Sequence, residues 1–298
     1  MIGRRAFAAA VGGLLVAGCA TSPKPTVVPP AVQVPAEPPP RRKPRLGLAL
    51  GGGAARGFAH IGVILALEEA GIRPDLIVGT SAGSVVGALY ASGKTGIQLQ
   101  RIGAELDEAS LTDWTLPWIG GAMLRGEALA RFINTEVGGR LLEDMVIPLG
   151  VVATNLNTGQ GILFQRGDTG QAVRASSAVP SVFQPVRIAG QTYVDGGLVS
   201  PVPVRYARQM GADVVLAVDI SSAPEGNATG DALQVLLQTF AIMGQSINSF
   251  ELKNADVLVR PALVGFKSAD FAGRARAVQA GRSAMQAVLP QLRQRLVP

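Results

Sequence analysis

Short apolar runs alternate with longer amphipathic stretches from residue 46 onward. Residues 46–50 (Leu-Gly-Leu-Ala-Leu) and 76–78 (Leu-Ile-Val) are brief and apolar, the pattern of buried strands. Each is followed by a helical stretch, 58–70 and 82–91, the second rich in Ala, Val and Gly and so suited to close packing on a sheet. Further on, 149–154, 161–165, 186–194 and 213–220 read as strands, and 127–137, 203–210 and 231–250 as helices. Residues 221–230 form a polar loop, and 271–296 a long closing helix to which no chemistry is assigned. This order predicts an α/β fold, with a mostly parallel central sheet and helices on both faces. The apolar segment holding Trp114, Pro117, Trp118, Ile119 and Met123 fits either a lid at a membrane interface or core packing.

The first 45 residues follow a different pattern. Arg4 and Arg5 precede an apolar stretch, 6–17, too short to span a bilayer comfortably, which reads as a signal peptide over 1–18. Residues 19–45 read as a linker. Nine prolines fall between 21 and 45, a composition that favours extended polyproline conformations over a core. At about 3.1 Å per residue, that linker reaches roughly 70–80 Å. Residues 46–298 form the remaining domain, large enough for one sizeable core.

Charge changes the picture once its location is known. The formal net charge is +6, and residues 1–45 hold seven basic side chains against one acidic, which accounts for all of it. The domain beyond is neutral, so the basic pI belongs to the tether and implies no nucleic-acid partner. The cluster Arg41-Arg42-Lys43 fits either anionic lipid head groups or a solvated flank.

Three motifs carry candidate chemistry. Gly79-Thr80-Ser81-Ala82-Gly83 sits between a strand and a helix, the setting of a nucleophile elbow, where small neighbours allow a sharp bend and leave the serine hydroxyl exposed. Upstream, Gly51-Gly52-Gly53-Ala54-Ala55-Arg56-Gly57 links a strand to a helix. A dinucleotide fingerprint requires glycine where Arg56 stands, and a phosphate loop requires lysine where Phe58 stands. What remains is a loop offering backbone N–H groups to an oxyanion. The third motif, Asp195-Gly196-Gly197, presents a carboxylate from a turn, either as a base for Ser81 or as an ordinary hairpin. The chain has a single histidine, His60, on the helix after the glycine loop. A serine hydrolase ordinarily takes its proton on imidazole, so Ser81 either is a decoy or uses a carboxylate. No His, Cys or acidic cluster has metal-ligand spacing, and neither metal nor cofactor is expected.

In order and spacing, these motifs resemble those of the bacterial patatin-like phospholipases. The likeness covers roughly residues 45–220 and extends to Gly57-Phe58-Ala59-His60-Ile61-Gly62-Val63 and to Arg174-Ala175-Ser176-Ser177-Ala178-Val179-Pro180. It implies a Ser81–Asp195 catalytic dyad without histidine. It further implies an oxyanion hole from Gly51, Gly52, Gly53 and Ala54, anchored by Arg56, with His60 outside the dyad. Gln184 stands where proline is expected and Ser200 where asparagine is common; neither touches the dyad.

The implied activity is a lipid acyl hydrolase of the phospholipase A or lysophospholipase type, acting on membrane phospholipid or lysophospholipid. Acyl transfer and non-catalytic lipid binding are the alternatives. Leu15-Val16-Ala17-Gly18-Cys19 resembles a bacterial lipobox, which implies lipidation of Cys19, the only cysteine. Ala20 after it implies an outer-membrane lipoprotein of the cell envelope.

Overall fold

Among the described residues eight strands form one sheet, in the order Val186–Ile188, Gln191–Asp195, Leu149–Asn155, Leu76–Thr80, Leu46–Leu50, Val214–Val218 and Val257–Val259, with Gly161–Phe164 paired to Leu149–Asn155. The computed structural model describes residues 42–106, 113, 124–225, 229–266 and 270–297, all within the compact unit Arg41–Pro298. The expected signal peptide, Cys19, the linker up to residue 41 and the 114–123 segment lie outside the described residues.

The strands at the centre are β1 (Leu46–Leu50), β2 (Leu76–Thr80), β3 (Leu149–Asn155) and β7 (Val214–Val218), and every residue in them is buried. They pair in parallel, and β8 (Val257–Val259) continues the parallel run beyond β7. Strands buried on both faces are apolar throughout rather than alternating, which is why 46–50 and 76–78 were readable as strands. β4 (Gly161–Phe164), β5 (Val186–Ile188) and β6 (Gln191–Asp195) are antiparallel additions at the β3 side.

One expectation needs correction. The run 186–194 is two strands rather than one, because Ala189 and Gly190 both take positive φ (48° and 78°) and close a two-residue hairpin. That is the backbone of a type I′ turn, whose twist matches paired strands.

Helices cover both faces, as predicted. α1 (Phe58–Glu69), α2 (Ala82–Ala91) and the closing helix (Arg274–Arg295) contribute to the larger core, around Leu48, Ile64, Ile77, Tyr90 and Met285. The short helix Val204–Gln209 packs Val204, Tyr206 and Ala207 against Ala49, Val78 and Val215 on the opposite face. α3 (Gly96–Glu105) opens on a capping box between Thr95 and Gln98, a signal the apolar pattern alone does not reveal. α4 (Glu127–Glu136), α5 (Thr169–Ser176), α6 (the Val204–Gln209 helix), α7 (Ala232–Glu251) and α8 (Arg274–Arg295) complete the α-helices among the described residues.

Candidate active site

Sheet register brings the two distant motifs together. Thr80, the last residue of β2, pairs with Val152, and Asp195, the last of β6, pairs with Ala153. Consecutive positions on β3 therefore set Ser81 and Asp195 side by side, although 114 positions separate them in sequence.

Ser81 occupies the bend between β2 and α2 at φ 51°, ψ −123°, a backbone conformation costly for any residue with a side chain. The bend forms because α2 leaves the sheet closely. A Cβ on Gly83 would lie 2.1 Å from the Leu50 carbonyl oxygen, so only glycine fits there. The Ser81 N–H donates to Ser176 Oγ at 2.8 Å, and Ser176 donates onward to the Val152 carbonyl at 2.6 Å. Thr80 Oγ1 donates to the Ser200 carbonyl at 2.9 Å. The elbow is held from the side by α5 and by the loop after Asp195. In the sequence Ser176 stands within the family-like segment 174–180, but its contact with the elbow has no local signal, because it depends on α5 meeting β3.

Asp195 is buried. Its backbone is fixed by Thr154 Oγ1, which donates to the Asp195 carbonyl at 2.8 Å, and by its own N–H, which donates to Ala178 at 3.0 Å. Oδ1 accepts from the Gly197 N–H at 2.7 Å. Oδ2 has no hydrogen-bond partner among the described residues. Burial pushes the Asp195 pKa up to about 6, while the Gly197 amide and the Ser81 hydroxyl partly oppose the rise. The hydroxyl is thus close enough to act on the carboxyl without completing a hydrogen bond to Oδ2, a looseness common before substrate binds.

The glycine loop faces the elbow. A Cβ on Gly52 would lie 3.2 Å from Ser81 Cβ, so the loop backbone passes directly beside the serine. Of the residues predicted for the cradle, Gly51 and Gly52 direct their N–H groups inward, to Val218 O at 3.0 Å and Pro201 O at 2.9 Å. The amides of Gly53, Ala54 and Ala82 donate to no backbone carbonyl among the described residues. Two of the four expected donors, Gly51 and Gly52, are therefore already engaged within the fold. Arg56 is buried, and its Nε donates to Ile220 O at 2.9 Å, which ties the loop to the chain beyond β7. Desolvation lowers its pKa, and the nearby Asp219 opposes that shift.

His60 lies beneath the loop, fully buried, with Nε2 2.8 Å from the Gly51 carbonyl oxygen. A carbonyl only accepts, so Nε2 carries the proton and Nδ1 is bare and without a partner among the described residues. Desolvation drops its pKa to about 4, against smaller opposing contributions from the Gly51 carbonyl and Asp219. This imidazole braces the loop as a neutral group. A serine at a sharp bend, a buried carboxyl with a raised pKa and a glycine loop are thus brought close together.

Comparison with known proteins agrees with this geometry. Residues 48–208 match the family described as patatin-like phospholipase, a span that takes in the glycine loop, the elbow and the Asp195 turn. An uncharacterized NTE family protein of Mycobacterium tuberculosis is 38% identical over 186 residues, covering 62% of this chain and 51% of that protein. The chain thus spans about half the length of the mycobacterial relatives it matches. Lysophospholipase NTE1 of Phaeosphaeria nodorum is 32% identical over 201 residues, 65% of this chain and 13% of its own length. The crystal structure of VipD from Legionella pneumophila shares the fold at a TM-score of 0.54 and 17% identity, over 84% of this chain and 67% of that one. With motifs, sheet and matched span in accord, the chain belongs to the patatin-like phospholipase family.

Proposed function

We propose that the protein is a serine lipid acyl hydrolase of the phospholipase A or lysophospholipase type, working through Ser81 and Asp195. The observation that carries this reading is the strained Ser81 beside a buried carboxylate whose pKa lies near 6, with the only imidazole engaged elsewhere. In the proposed reaction Ser81 Oγ bonds to the ester carbonyl carbon as its proton passes to Asp195. The negative oxygen of the tetrahedral intermediate is held by the Gly53 and Ala54 amides, each donor contributing about 3–4 kcal/mol. The bond to the alcohol then breaks, and the leaving oxygen takes the proton back from Asp195. Water, deprotonated by Asp195, releases the fatty acid from the acyl-enzyme and restores the serine. A carboxylate with a raised pKa is a better base for this work than an exposed one.

The name of the fungal relative, a lysophospholipase, favours a single-chain phospholipid as substrate. The lipobox-like segment ending at Cys19 supports a lipid-anchored protein of the bacterial envelope, carried on a proline-rich tether. Release of fatty acid from lysophosphatidylcholine by wild type, Ser81→Ala and Asp195→Asn tests the hydrolase reading. Wild-type turnover with both variants lowered by about 10³-fold or more is the expected result. Undiminished release by Ser81→Ala would refute it.

A further inference from the structure

The elbow, the carboxylate turn and the glycine loop share one neighbour. Thr80 Oγ1, beside Ser81, donates to the Ser200 carbonyl at 2.9 Å. The Ser200 N–H donates to the carbonyl of Gly196, beside Asp195, at 2.9 Å, and the Gly52 N–H donates to the Pro201 carbonyl at 2.9 Å. Two consecutive residues therefore hold one hydrogen bond to each of the three motifs. Both are buried, and neither belongs to a strand or a helix, so no ladder of backbone bonds fixes them. Their place depends on what lies against them.

The Ser200 side chain answers that need. Its Oγ donates to Glu251 Oε1 at 2.8 Å, and the same carboxylate oxygen accepts from the Arg205 N–H at 3.2 Å. The Arg205 guanidinium lies 3.9 Å from it, and Glu251 Oε2 has no hydrogen-bond partner among the described residues. Glu251 ends α7, where it and Asn248 are the only buried residues of the helix. An apolar side chain would fix a helix end without the cost of desolvating a carboxylate. What the carboxylate adds is an acceptor for the Ser200 hydroxyl.

We infer that Ser200 and Glu251 are positioning residues: through the Ser200 hydroxyl, Glu251 fixes the Ser200–Pro201 segment and so sets Ser81, Asp195 and the glycine loop relative to one another. This assignment rests on the hydrolase reading of Ser81 and Asp195. Neither residue has to touch the ester, since both act through the backbone of their neighbours. Without the hydroxyl, Ser200 keeps its N–H and carbonyl bonds, but the segment is free to shift and to carry all three motifs with it. A small misplacement of reacting groups costs rate more than binding, so the effect falls on kcat.

Steady-state kinetics of the full chain on p-nitrophenyl butyrate compare wild type with Ser200→Ala, Glu251→Ala, Glu251→Gln and the double alanine variant. Each single alanine variant is expected to lose about ten-fold or more in kcat, with KM changed by less than about two-fold. Glu251→Gln keeps an Oε1 acceptor and is expected to stay within about three-fold of wild type. Because the pair acts as one unit, the double variant should fall no further than the slower single one. Losses that multiply, an unchanged kcat in Ser200→Ala, or a glutamine variant as slow as Glu251→Ala would overturn the inference. If Glu251→Ala does not fold, Ser200→Ala and Glu251→Gln decide it by the same criteria. Hydrogen exchange supplies a reading that needs no activity. In Ser200→Ala the amides of Gly52 and residue 200 should exchange at least about ten-fold faster, with that of Ile64 in the core unchanged. No change at the first two, or an equal rise at all three, would contradict the brace. A wild type that turns over no ester would defeat the hydrolase reading alone, with the exchange result still deciding whether Glu251 holds the segment.

Discussion

Ser176 accepts the hydrogen bond of the Ser81 backbone amide at 2.8 Å while donating its own proton to Val152 at 2.6 Å. One hydroxyl on α5 therefore ties the elbow to β3, the strand that pairs with β6 and so with Asp195. Removing it with Ser176→Ala leaves the Ser81 amide without its acceptor, at a cost of about 1–3 kcal/mol in stability. Displacing a nucleophile by a fraction of an ångström lowers kcat more than it raises KM. Roughly a 10- to 100-fold fall in kcat on a soluble ester is expected. Steady-state kinetics and urea unfolding of the variant check both; an unchanged kcat would leave Ser176 a purely structural residue.

Burial of Asp195 makes opposite demands on stability and on rate. Its folded pKa, about 6, lies above the ordinary 3.8. The folded state thus holds the proton more tightly, and this group's contribution to stability is fully present below 3.8 and lost as pH rises through about 6. Asp195→Asn does not titrate, so its stability relative to wild type should improve between pH 4 and 7, by up to roughly 3 kcal/mol. In the proposed mechanism the rate runs the other way, because the carboxylate acts as the base. kcat/KM for a soluble ester should rise with pH through an apparent pKa near 6. Urea unfolding across this range, paired with a pH–rate profile, measures the two trends together.

His60 gives the opposite linkage. Its folded pKa of about 4 lies below 6.5, so its contribution to stability is fully present above 6.5 and lost as pH falls through about 4. Replacement by asparagine should leave the rate limb near pH 6 in place, with kcat/KM reduced less than about ten-fold. A loss of about 10²–10⁴-fold with disappearance of that limb would instead mark the imidazole as the base.

Backbone strain at Ser81 predicts a trade between stability and activity. Its φ of 51° with ψ of −123° is a region that glycine enters freely. Ser81→Gly and Ser81→Ala both remove the hydroxyl, but only glycine relieves the bend. Ser81→Gly is expected to exceed Ser81→Ala in stability by about 1 kcal/mol. Equal unfolding midpoints for the two would mean that the bend stores no strain.

What the sequence disclosed and what it hid divide along physical lines. Buried parallel strands such as 46–50 and 76–78 announce themselves by unbroken apolarity, and the glycines at 51–53 and 83 mark places where backbones pass closely. Those signals are local. The meeting of Ser81 with Asp195 is legible only through the family resemblance, because it depends on the β2–β3–β6 register, which no local window contains. Ser176, the inward-turned amides of Gly51 and Gly52, and the Ser200–Glu251 brace were hidden for the same reason. The hairpin at Ala189-Gly190 leaves little trace in the sequence, because alanine seldom takes the positive φ it has there.

The most direct measurement of the central claim is a covalent one. Wild type and Asp195→Asn are treated with a fluorophosphonate, digested and mapped by mass spectrometry. The proposed chemistry predicts one adduct, on Ser81, formed rapidly in wild type and much more slowly in Asp195→Asn. An adduct on a different serine, or labelling of Ser81 at the same rate in both proteins, would contradict it.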